Sequence, residues 1–101
     1  MAIQQVTIGN NQVRAAFSGS IYIEDAVEFA ENLTELIDQG HTTLLIDLAD
    51  VDYIDSAGIG ALIAIHKRAL ERNGGLVVKG PKGIVKELFE LTHVVKVLHV
   101  I

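Results

Sequence analysis

The sequence predicts an α/β fold in which a mixed sheet carries its helices, and three observations point there. Short runs rich in β-branched and apolar residues alternate with segments of helical rhythm. Glycines stand where two of the helical segments should stop, at Gly40 and at Gly74-Gly75. The run Thr43–Leu48 is almost continuously apolar, the pattern of a strand covered on both faces in a parallel sheet.

The elements follow in order. Ile3–Ile8 and Gln12–Phe17 read as two strands, and Gly9-Asn10-Asn11 between them has hairpin-turn chemistry. Glu24–Gln39 places Ala26, Phe29, Ala30, Leu33, Leu36 and Ile37 on one helical face, with acidic residues elsewhere. Thr43–Leu48 is the third strand. A short acidic loop then leads to a second helix, Ala57–Arg72, closed by Asn73-Gly74-Gly75. Leu76–Lys79 is a strand ended by Gly80-Pro81, Lys82–Leu91 a third helix, and Val94–Ile101 a last strand. The order is β-β-α-β-α-β-α-β. Alternation of this kind implies parallel strands joined by right-handed crossovers, with the first hairpin adding an antiparallel edge.

The 101 residues fit one domain, 1–101, and half of them are hydrophobic, enough to fill a core. A net charge of −5, with eight scattered basic residues, argues against nucleic acid, which needs a basic patch. The longest apolar stretch, Ala57–Ile65, is too short to span a bilayer, and no signal-peptide pattern opens the chain. No basic run flanks an apolar helix, so no membrane surface is expected as a partner. There are no cysteines, so thiolate chemistry is excluded, and the expected location is cytoplasmic. The four histidines, His41, His66, His93 and His99, show no paired ligand spacing, and neither metal nor cofactor is expected. His93 falls where a helix-ending glycine would sit more comfortably.

The informative stretch is Ile46–Leu62. It carries a buried strand, the acids Asp50, Asp52 and Asp55, and a helix beginning near Ser56. In parallel sheets, ligands and partners meet the loops beyond the carboxyl ends of strands. Ser56 stands there, at a helix N-terminus whose free N–H groups and dipole favour an anion such as a phosphate. The plainer reading is that Asp55 or Ser56 is simply the N-cap. Gly58 and Gly60 each cost a helix roughly 0.5–1 kcal/mol against alanine, which points to something approaching the backbone closely. Ile59 and Ile63 fall to one side of the Leu62, Ile65 and Ala69 stripe. They form either an apolar patch beside Ser56 or a surface covered by helix Glu24–Gln39.

Asp50-Val51-Asp52-Tyr53-Ile54-Asp55-Ser56-Ala57-Gly58-Ile59-Gly60-Ala61-Leu62 resembles the phosphorylation-loop signature of the STAS-domain anti-sigma-factor antagonists. Phe17–Ile21, Asn73–Val78 and Val85–Thr92 are similar to that family's second strand, fourth strand and third helix. The resemblance implies a regulatory switch protein, not an enzyme. It would bind an anti-sigma factor serine kinase when unphosphorylated, be released on phosphorylation of Ser56, and be reset by a PP2C-type serine phosphatase. It implies a contact surface of Asp55, Ala57, Gly58, Ile59, Gly60 and Ile63, with Glu24 and Asp25 nearby, and it admits a homodimer.

Three departures accompany the resemblance. Ala57 stands where many members have a second hydroxyl residue, which leaves Ser56 as the acceptor. Tyr22 replaces an aspartate often counted in the kinase contact. The chain stops at Ile101, where members usually continue into a C-terminal helix. Alternative roles within the family are a stressosome-type scaffold subunit or a partner of a lipid-transport ATPase. A serine hydrolase is disfavoured because its nucleophile elbow needs glycine where Ile54 stands. Gly75–Lys82 has the opening spacing of a P-loop but lacks the Lys-Ser/Thr pair and reads as a strand and turn.

Overall fold

The computed structural model describes residues 2–9 and 12–101. Five strands form one sheet in the order β1-β2-β3-β4-β5. They are β1 (Ala2–Ile8), β2 (Gln12–Ile21), β3 (Thr43–Ile54), β4 (Gly75–Lys79) and β5 (His99–Val100). β1 pairs antiparallel with β2, with Ile8 opposite Val13, and the other neighbours are parallel. Helices α1 (Ile23–Asp38), α2 (Ser56–Glu71) and α3 (Gly83–Leu91) make the crossovers. The expected mixed sheet and element order are therefore present. Asn10 and Asn11 of the expected turn lie outside the described residues.

Because the strand order advances in one direction, right-handed crossovers carry all three helices to the same side of the sheet. Burial follows from this. In β3, Leu44, Ile46 and Leu48 are fully buried, while Leu45 and Asp47 between them are only half-buried. The expectation of a strand covered on both faces is thus corrected: a single helical layer lies on one face. Val13, Ala15 and Phe17 of β2, Leu76 and Val78 of β4, and Phe29, Leu33, Leu62, Ile65, Val85 and Phe89 of the helices complete that core. On the opposite face Arg14 pairs with Asp47 at 3.0 Å. The Ala49 N–H and that guanidinium hold the Asp47 carboxyl below the usual carboxylate range.

The helix ends are set by local chemistry. Gly40 (φ 105°) and Asn73 (φ 64°) take the left-handed conformation after α1 and α2. His41 N–H then reaches Leu36 O at 3.0 Å and Gly74 N–H reaches Ala69 O at 2.8 Å, the Schellman pattern. His93 adopts the same conformation (φ 57°) after α3. The expected last strand, Val94–Ile101, is corrected: Val94–Lys96 is a 3-10 turn, and only His99–Val100 joins the sheet. Val94 and Leu98 are buried four residues apart, so the segment docks by a helical spacing before it can pair.

Candidate functional site

β2 and β3 end together, with Ile21 opposite Ile54, and the Asp55 N–H donates to Ile21 O at 3.1 Å. Both strands are longer than expected. β2 continues to Ile21 through register shifts at Ala16/Ser18 and Gly19/Ser20, with Gly19 at φ 87°. β3 runs through the acidic segment to Ile54, so that segment is strand, not loop: Val51 and Ile54 face the core, while Asp50, Asp52 and Tyr53 face solvent.

At the junction Asp55 is the N-cap. Its backbone is extended (φ −88°, ψ 177°), and its carboxylate accepts the Gly58 N–H at 3.0 Å. Ser56 is the first helical residue, solvent-exposed, and its hydroxyl makes no hydrogen bond within the described residues. The capping duty left open between Asp55 and Ser56 falls to Asp55.

The glycines divide. Gly58 is buried, and a Cβ there would stand 2.6 Å from Ile54 Cγ1 and 3.1 Å from Ile21 Cγ2. The close approach is made by the chain's own strand ends. Gly60 is exposed, and a Cβ there would meet nothing within 4 Å. Ile59 is only 6% exposed and belongs to the core, which corrects its place in an exposed patch. α1 packs alongside α2. Ala57 and Ile63 are half-buried against the same core. Glu24 is exposed in the first turn of α1, while the Asp25 carboxylate accepts the Tyr22 N–H at 3.0 Å.

The model of the STAS domain matches residues 5–101. This chain belongs to the STAS family. It is 30% identical to the anti-sigma-B factor antagonist of Bacillus subtilis, over 81% of this chain and 74% of that protein. Its fold superposes on an anti-sigma factor antagonist from Mycobacterium paratuberculosis with a TM-score of 0.86, covering 99% of this chain and 85% of that one at 20% identity. It also superposes on the Bacillus cell fate determinant SpoIIAA in its phosphorylated form, with a TM-score of 0.80, covering 98% and 91% at 14% identity.

Sequence reasoning missed part of the surface around Ser56 in this STAS domain. The Tyr22 and Tyr53 rings pack at a tilt of 41° with centroids 5.7 Å apart and remain 43% and 37% exposed. Ile23 and Val27, one turn apart on α1, are 56% and 55% exposed. With α1 taken to begin at Glu24, Ile23 fell outside it. The available signal was that Ile23 and Val27 share a spacing of four but stand off the Ala26, Phe29, Leu33 and Ile37 stripe. No described helix is long and apolar enough to cross a membrane.

Proposed function

We propose that this STAS domain is an anti-sigma-factor antagonist whose binding to a serine kinase is controlled by phosphorylation of Ser56. The observation that carries the reading is the division of labour at the start of α2. Asp55 caps the helix, and the Ser56 hydroxyl is left exposed and unengaged. A kinase can therefore reach it without dismantling the cap.

Unmodified, the surface offers the Ser56 hydroxyl, open Gly60, the edge of Ile63 and the Tyr22–Tyr53 pair, with Glu24 at its margin. Phosphorylation adds about −1.5 to −2 charge at pH 7. The helix N-terminus tolerates that charge, so the fold survives, whereas Asp52 and Asp55 beside it concentrate like charge on the contact face. The partner is lost by repulsion and desolvation, and a PP2C-type phosphatase restores the surface. In this reading the chain is a substrate and a binding partner, acting in the cytoplasm; the transfer chemistry belongs to the kinase.

Immobilised unmodified protein, exposed to lysate of its own organism, should capture a serine kinase identifiable by mass spectrometry. Ser56→Asp should reduce that capture roughly tenfold or more, the scale of a charge placed in a desolvated contact. Equal capture by the two proteins would remove charge at Ser56 as the switch.

A further inference from the structure

A second surface lies on the side of α1 away from α2, and it goes beyond the Ser56 switch. Between α1 and the β1–β2 hairpin runs a half-open groove of 710 Å³. Its apolar part is made by Val6 and Ile8 of β1, Phe17 of β2, and Phe29 and Leu36 of α1. Val6 and Ile8 remain exposed although they stand on the same sheet face as the core residues Ala15 and Val13. β1 is an edge strand, and among the described residues no helix covers this end of the sheet.

The helix wall of the groove is a stripe at helical spacing: Asp25, Glu28, Asn32, Glu35 and Gln39. It extends ~21 Å at 1.5 Å per residue. Three of these five residues are acidic, α1 contains no lysine or arginine, and among the described residues no basic one lines the groove. Gln4, also in the lining, has its side-chain Nε2 buried without a hydrogen-bond partner. Apolar floor and acidic wall together describe a seat for a peptide carrying apolar and cationic residues.

We propose that this groove docks a cationic amphipathic helix of a partner protein, with apolar side chains on Val6 and Ile8 and lysine or arginine against Glu28 and Glu35. Charge complementarity selects this occupant over a second copy of the chain, whose net charge is −5. Ser56 lies at the start of α2, and α1 separates the two surfaces, so docking is independent of the phosphorylation state.

The test uses the whole protein, ¹⁵N-labelled, and a synthetic 18-residue helical peptide of leucine and lysine, with a leucine–glutamate peptide as control. Amide shift changes should concentrate at Gln4, Val6, Ile8, Phe29 and Leu36, and the acidic peptide should give none. Glu28→Lys with Glu35→Lys should weaken binding roughly tenfold, two exposed pairs being turned from attraction to repulsion. Glu71→Lys with Glu87→Lys, the same net change away from the groove, should leave it within twofold, as should Ser56→Asp. Shifts centred outside the groove, equal loss in both charge-reversed proteins, or formation of a dimer through the groove in place of peptide binding would each overturn the proposal. Circular dichroism of each variant confirms that α1 is intact.

Discussion

The Asp55 carboxylate accepts the Gly58 N–H at 3.0 Å, and this single bond separates stability from signalling at the start of α2. A capping serine would have its hydroxyl engaged with the backbone. With Asp55 as the cap, the neighbouring Ser56 contributes little to the fold. Asp55→Ala should therefore cost about 1 kcal/mol of stability, whereas Ser56→Ala and Ser56→Asp should each stay within about 0.5 kcal/mol of wild type. Urea denaturation of the three variants checks the order.

The two glycines of the first turns should respond in opposite directions to alanine. Gly58→Ala forces a methyl against Ile54 and Ile21, and overpacking of this kind costs about 1–3 kcal/mol. Gly60→Ala meets open space and removes a helix-weakening residue, for a gain of about 0.5–1 kcal/mol. Thermal melts read both. Gly60→Trp should fold normally and lose kinase capture, because its bulk projects from the proposed contact face.

Ile59 belongs to the core, so Ile59→Glu should melt the domain and not merely detach its partner. A buried carboxylate without a partner costs several kcal/mol, a large part of the stability of a domain this small. Collapse of the cooperative unfolding transition is the expected result. A folded Ile59→Glu protein that no longer captured its kinase would return Ile59 to the contact surface.

His66 gives the fold a sensitivity to mild acid. Its Nδ1 accepts the Leu76 N–H at 3.1 Å, at a point on the β4 edge that two-residue β5 does not reach. Burial pushes the imidazole pKa below the usual histidine range. The unfolded chain therefore binds a proton first as pH falls below about 6.5, and stability present above that pH is lost from there down to the folded value. The lowered Asp47 carboxyl acts in the same direction in a separate window, below about pH 4. Denaturation midpoints at pH 7.5 and 5.5 should differ for wild type, and His66→Asn should narrow the difference.

The strand–helix order was legible because each helix is framed by an apolar stripe and a stop signal; His93, out of place as a helix-ending residue in the sequence, takes the left-handed backbone of a glycine. Three things were not legible. Leu44-Leu45-Ile46 reads as doubly buried, yet half-burial of Leu45 needs only neighbouring strands, not a second helical layer. Asp50 and Asp52 obscured a strand whose inward residues, Leu48, Val51 and Ile54, fall three apart, because two register shifts against β2 break the period of two. Val94–Ile101 is rich in β-branched residues, but burial of Val94 and Leu98 at a spacing of four overrides that preference. At the site, Asp55 and Ser56 drew attention by their place between a strand and a helix and by the resemblance of residues 50–62 to the family signature. The packing of Tyr22 against Tyr53 was not legible, because it depends on the register that sets Ser20 opposite Tyr53.

In the proposed switch, Ser56 receives the phosphate that releases the partner. The direct measurement is intact-mass and peptide-fragment spectrometry after incubation with the captured kinase and ATP, followed by a second capture with the modified protein. One phosphate should appear, on Ser56, with loss of kinase binding and a circular dichroism spectrum unchanged from the unmodified chain. A phosphate on Ser18, Ser20 or a threonine, or a Ser56-phosphorylated protein that still holds the kinase as tightly, would rule out this switch.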